Sequence, residues 1–162
     1  MSEFSRRRFV RGTGAALAVG ALAGCTGNGG NGGGNGDGSS DVPQAIDDHL
    51  SGANGYDGTI ADMTGESGVT VMVGAGDGLA FDPAAVRISS STTVTWEWTG
   101  AGGGHNVASV EGSESDFRSG DDFVSEEGHT YEQSFDNTGV QLYVCEPHES
   151  QGMKGAIDVV EE

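Results

Sequence analysis

Short apolar segments separated by glycine-rich turns recur from Val69 to the end of the chain. The stretch from Thr92 to Thr99 alternates most clearly, because Val94, Trp96 and Trp98 fall on one face of an extended strand. Strands at this spacing, with few helical patterns, predict an all-β fold, either a sandwich or a barrel. The predicted core consists of Val94, Trp96, Trp98, Phe135, Leu142, Val144, Ile157 and Val159.

Residues 41–68 precede these strands and are predicted to form an N-terminal extension that packs on the domain. A short helix is predicted between Asp41 and Leu50, with Asp41 as its cap and Pro43 in its first turn. His49 is expected to be a solvated helix residue rather than a ligand. The remainder of the extension is rich in turn signals.

One loop near the end of the chain places three kinds of metal ligand close together, with the spacing Cys145-x₂-His148-x₄-Met153. A further imidazole, that of His105, lies at the end of an apolar run far upstream. One thiolate, two imidazoles and a weak thioether are the ligand set of a blue-copper electron-transfer site. The pattern therefore predicts a protein that binds one copper ion and carries one electron at a time.

Other chemistries fit these residues less well. Zinc also takes cysteine and histidine, but a thioether is a poor zinc ligand, so zinc would be a mis-metallation. A hydrolase based on Cys145 would need a base and an oxyanion site, and no such set stands out. With 4 histidines the chain has too few for a multicopper oxidase, so we do not expect an enzyme. The alternative that stays open is a copper carrier or chaperone delivering copper to extracytoplasmic enzymes.

The chain is strongly acidic, with a formal net charge of -18 from 25 acidic and 7 basic residues. This negative charge excludes nucleic-acid binding through phosphate neutralisation. At low salt it would also oppose the compact state by self-repulsion. Because the Debye length falls to about 3 Å at 1 M salt, such a surface is tolerable in brine. The composition therefore indicates a halophile protein.

Residues 1–24 are typical of an export signal. Ser5-Arg6-Arg7-Arg8-Phe9-Val10 resembles a twin-arginine motif, and the apolar stretch after it is shorter than the roughly 20 residues of a bilayer span. The signal closes with Leu22-Ala23-Gly24-Cys25, which resembles a lipobox, so Cys25 is expected to be lipidated. Residues 25–40 are then almost only Gly, Asn, Ser and Asp, which predicts a flexible linker.

Four stretches taken together resemble the plastocyanin branch of the cupredoxins: Leu79-x-Phe81-x-Pro83, Val94-x-Trp96, His105-Asn106-Val107 and Cys145-x-Pro147-His148-x₄-Met153. The resemblance covers roughly Val69 to Val160. The archaeal, membrane-anchored members of that branch, the halocyanins, also resemble the chain in export signal, lipid anchor and acidity. Two positions differ from plant plastocyanins. Val144 stands directly before Cys145, where they have an aromatic residue, and Gly104 stands directly before His105, where they have a proline.

The resemblance implies a Greek-key β-sandwich with residues 69–162 as the plastocyanin-like copper-binding domain. Asn106 would brace the cysteine loop by hydrogen bonding, and His148 would show its ring edge at the surface and pass the electron. The implied role is electron transfer, as a monomer, between redox proteins of a membrane electron-transport chain. The lipid at Cys25 would hold the protein on the outer face of the cytoplasmic membrane. The implied ligands of one Cu(I)/Cu(II) ion are His105, Cys145, His148 and Met153.

Overall fold

The computed structural model describes residues 38–162, so the predicted signal peptide, Cys25 and most of the predicted linker lie outside the described residues. Strands predominate in the described part, together with one short α-helix and one 3-10 helix. In chain order the elements are β1 (Gly38–Ser39), α1 (Gln44–His49), β2 (Ile60–Asp62), β3 (Gly68–Ala75), β4 (Ala80–Asp82), β5 (Ala85–Ser89), β6 (Thr93–Trp98), β7 (Ala108–Ser109), β8 (Thr130–Ser134), β9 (Gly139–Val144), the 3-10 helix (Glu146–Gln151) and β10 (Lys154–Val160).

The strands form two sheets, which confirms the predicted all-β sandwich. The larger sheet has the strand order β1-β2-β5-β10-β9-β7, and the smaller has the order β4-β3-β6-β8. Strand β10 lies between a parallel neighbour, β5, and an antiparallel neighbour, β9. Strand β6 likewise pairs parallel with β3 and antiparallel with β8. The chain crosses between the two sheets several times, for example from β2 to β3, from β4 to β5 and from β5 to β6.

The alternation in β6 produces the core as predicted. Val94, Trp96 and Trp98 are buried, whereas the residues between them are partly exposed. The other five predicted core residues are buried as well. Burial of a large apolar side chain is worth about 1.5–3 kcal/mol, so this core is the main source of stability. It also fixes the ends of the strands from which the candidate ligands extend.

The larger sheet buries residues on both of its faces. In β9, Tyr143 points into the core between the sheets, while its neighbour Leu142 packs on the opposite face. Helix α1 covers that second face, because Ile46 and Leu50 are fully buried in the same cluster as Leu142. The extension before β3 is thus part of the packed structure, and it contributes β2 to the larger sheet.

Two expectations about helix α1 are wrong. Pro43, rather than Asp41, is the N-cap of the helix, and no side chain caps it; Asp41 lies further upstream, where its carbonyl accepts a hydrogen bond from Arg87 at 2.8 Å. His49 is half-buried, and its Nε2 contacts the carbonyl oxygen of Tyr143 at 3.1 Å. Both contacts join residues far apart in sequence, which local patterns do not reveal.

No helix among residues 38–162 is long and apolar enough to cross a membrane.

Candidate metal centre

Three predicted ligands meet at one end of the sandwich. The ligand atoms of His105, Cys145 and His148 all lie within 4.8 Å of one another. The two Nδ1 atoms are 3.1 Å apart, and the Cys145 Sγ lies 3.5 Å from Nδ1 of His105 and 3.4 Å from Nδ1 of His148. An ion between these three atoms would lie roughly 2 Å from each, close to the bond lengths that transition-metal ions take to imidazole nitrogen.

The backbone and the ring of His105 are both held. Its backbone N–H donates to the carbonyl of Val124 at 2.8 Å, and its carbonyl accepts from Val124 at 2.9 Å. Its Nε2 lies 2.8 Å from the carbonyl oxygen of Ala101, so Nε2–H donates there and Nδ1 keeps its lone pair for the site. Burial lowers the pKa of His105, which favours the neutral ring that binds metals.

Cys145 directly follows β9 and is fully buried. Its backbone N–H donates to the carbonyl of Met153 at 3.0 Å, so the two ends of the loop are paired. Burial raises the pKa of the thiol, and the neutral imidazoles beside it supply no positive charge that would stabilise a thiolate. A thiolate at this position therefore needs a cation beside it, and the donor set fits copper.

His148 and Met153 lie on the segment that returns to the sheet. We call residues 145–153 the ligand loop. His148 is half-buried in the 3-10 helix, and its N–H donates to the carbonyl of Cys145 at 3.0 Å. Gly152 ends this helix with a φ of 88°, a left-handed conformation that favours glycine. Met153 follows, fully buried, and its N–H donates to the carbonyl of His148 at 3.2 Å.

Asn106 lies against the ligand loop on the side of Cys145. Its side-chain oxygen accepts a hydrogen bond from the backbone N–H of Glu146 at 3.0 Å, and its amide nitrogen donates to the Glu146 carboxylate. Arg118 forms an ion pair with the same carboxylate. The guanidinium, and after it the Asn106 amide, hold the pKa of Glu146 below its usual value. No sequence pattern singles out Glu146 and Arg118 for this role, although Glu146 directly follows the ligand Cys145.

The segment that carries His105 is also packed against the turn before β4. We call residues 99–107 the histidine loop. Gly102 lies so close to Gly78 that a Cβ atom on Gly102 would overlap the Gly78 carbonyl group. Gly103, next to it, has open space around it. The glycine run from Gly102 to Gly104 therefore contains one position that packs against the turn and one that faces solvent.

Comparisons with known proteins identify a copper-binding family. Residues 67–160 match the family of copper binding proteins described as the plastocyanin/azurin family. A halocyanin from Natronomonas pharaonis is 57% identical over 164 residues, covering 98% of this chain and 99% of the relative. A plastocyanin from Scenedesmus fuscus is 40% identical over 97 residues, covering 56% of this chain and 98% of the relative. A solved mutant plastocyanin of fern has a TM-score of 0.47 at 20% identity, covering 56% of this chain and 99% of the other.

Proposed function

Because the chain belongs to the plastocyanin/azurin family of copper binding proteins, we propose that it carries electrons between redox proteins of a membrane electron-transport chain. Copper supplies the chemistry, since the ion gains and loses one electron. The observation that supports this role most directly is the convergence of one buried thiol and two imidazoles on a single point. The type 1 site consists of His105, Cys145, His148 and Met153.

The residues around the site suit repeated one-electron transfer without catalysis. Cu(I) and Cu(II) favour different geometries, so a scaffold that holds the ligands still lowers the reorganisation on each transfer. Three ligands of this chain are buried and hydrogen-bonded through their backbones. His148 is the ligand with the most solvent exposure, and we propose that the partner protein meets its ring there.

Screening affects how a partner recognises this site. The chain is strongly acidic, but at 1 M salt the Debye length is only about 3 Å, so long-range steering is weak. We propose that docking relies on short-range contact around His148 and the exposed Gly103. The acidic residues then serve mainly solubility in brine.

Redox cycling of the copper-loaded protein tests the function. The oxidised protein should be intensely blue, with a narrow copper hyperfine splitting in its EPR spectrum. It should pass through repeated cycles with a one-electron donor and acceptor while keeping one copper ion per chain by metal analysis. A colourless Cu(II) form with normal splitting would contradict the site. Copper passing to a copper-free acceptor protein, without redox turnover, would instead favour a copper carrier or chaperone.

The proposed location follows from the first forty residues rather than from the folded domain. The twin-arginine motif and the lipobox at Cys25 support export followed by lipidation. A single cysteine in such proteins usually carries more than one acyl chain, which suffices for stable anchoring. As a random coil, the linker would span roughly 20 Å, keeping the copper site near the outer face of the membrane.

Changing Cys25 to Ala should release the exported protein from the membrane. The variant lacks the sulfur that would carry the lipid, and no other residue of the linker replaces it. Fractionation of cells followed by immunoblotting should find wild-type protein with the membranes and the variant in the soluble exported fraction. A Cys145→Ser variant serves as the control and should stay with the membranes. Retention of Cys25→Ala in the membrane fraction would refute the anchor.

A further inference from the structure

The N-terminal extension contacts the ligand loop through Asn54. The backbone N–H of Asn54 donates to the carbonyl of Gly152 at 2.8 Å. Its side-chain amide donates to the carbonyl of Gln151 at 2.8 Å and also to the carbonyl of Leu79 at 2.8 Å. Both side-chain N–H groups are therefore used, and one residue joins the ligand loop to the turn before β4.

The turn that carries Asn54 is held in place by helix α1. It follows helix α1, whose Ile46 and Leu50 are fully buried against the larger sheet. The N–H of Ala53 donates to the carbonyl of Leu50 at 2.8 Å, which fixes the turn after the helix. A Cβ atom on Gly152 would lie 2.9 Å from the carbonyl oxygen of Gly52, so the two backbones pack closely. The ligand loop thus rests directly on the extension.

The two carbonyls that Asn54 bridges belong to segments that control different ligands. Gln151 and Gly152 directly precede Met153, so their placement decides where the Met153 thioether enters the site. Leu79 lies in the turn whose Gly78 packs against Gly102 of the histidine loop. Asn54 therefore connects the approach to Met153 with the segment that carries His105. The residue itself touches no ligand atom in the described hydrogen bonds.

We propose that Asn54 is a positioning residue of the copper site, which ties down the ligand loop and thereby sets the contact that Met153 makes with the metal. The proposal rests on the function proposed above and deepens it. Asn54 lies outside residues 67–160, the part that matches the copper-binding family. The extension thus takes part in the site as well as covering the sheet. Because the axial ligand tunes the potential of a blue-copper site, loosening this tie should change the potential.

Hydrogen exchange in the copper-free protein tests the tie independently of the metal. In Asn54→Ala, the backbone amides of Gly152 and Met153 should exchange about three- to tenfold faster by NMR, because two modest hydrogen bonds are lost. Asn54→Asp keeps the size but lacks the N–H donors, so it should show the same increase. Asn137→Ala is the matched control, since Asn137 is an exposed asparagine whose side chain, among residues 38–162, bonds only Ser115. Equal exchange in all four proteins would overturn the proposal.

The reduction potential of the copper-loaded protein provides the second readout. Met153→Leu removes the axial thioether and should raise the potential; Asn54→Ala should shift it in the same direction by a smaller amount. Asn137→Ala should leave the potential unchanged. If Asn54→Ala speeds loop exchange but stays blue at the wild-type potential, Asn54 merely stabilises the loop and the proposal is wrong. A wild-type protein that is not blue would instead reject the proposed function, whatever the exchange data show.

Discussion

Changing Cys145 to Ser should abolish the blue colour of the copper-loaded protein. The colour of such sites arises from charge transfer between thiolate and copper, and a serine hydroxyl stays protonated where the thiol would ionise. The Cys145 thiol is fully buried and lies within 3.5 Å of both imidazole nitrogens, so no other sulfur of the described residues can take its place without moving the loop. Copper affinity should fall by more than the roughly 10–100-fold lost when a residue that hydrogen-bonds a metal ligand is removed.

The fold should survive this change, because serine is nearly the same size and the bond from the Cys145 N–H to the Met153 carbonyl involves only backbone. Visible absorption, EPR and copper analysis would measure the loss, and circular dichroism would show that the sandwich is intact. Cys25→Ala serves as the control and should remain fully blue. A Cys145→Ser variant that keeps its intense band would mean that the thiolate is not a ligand.

The core could be predicted from the sequence, because alternate residues of a strand point to opposite faces and the apolar ones mark the buried face. Alternation alone places Trp96 and Trp98 inside, and both are buried. Alternation does not show which side of β9 faces the second sheet. Leu142 is buried as predicted, yet it packs under helix α1 rather than between the sheets. The position of Leu142 depends on helix α1 lying over the larger sheet. The alternation of apolar residues along the strands does not reveal this packing.

The grouping of Cys145, His148 and Met153 could be predicted, because a loop this short keeps their side chains close together. Cys145 and His148 are three positions apart in sequence, and the structure brings His105 to them from 40 positions away. Apart from Asn106, the residues that hold this arrangement escaped prediction, because they act through long-range contacts. Arg118 bonds Glu146 from 28 residues away in sequence, and Asn54 bonds Gln151 from 97 residues away. His49 looked solvated for the same reason, since its partner is the distant carbonyl of Tyr143.

The second large effect is expected at the glycine run of the histidine loop, where Gly102 and Gly103 form a matched pair. Both residues have positive φ, at 79° and 94°. An alanine at either position would carry the penalty of left-handed backbone, about 1–2 kcal/mol. The two sites differ in surroundings, because a Cβ on Gly102 would overlap the carbonyl group of Gly78, whereas a Cβ on Gly103 meets nothing within 4 Å.

Gly102→Ala should therefore lower the free energy of unfolding by about 3 kcal/mol or more, since overpacking against backbone adds to the conformational penalty. Gly103→Ala should cost only about 1–2 kcal/mol. Because the turn before β4 must move away from the histidine loop, Gly102→Ala should also weaken copper retention and change the blue band, while Gly103→Ala leaves the band unchanged. Denaturant unfolding of the copper-free variants and spectra of the loaded ones provide the two measurements. Equal destabilisation by both alanines would show that the turn and the histidine loop are not in contact.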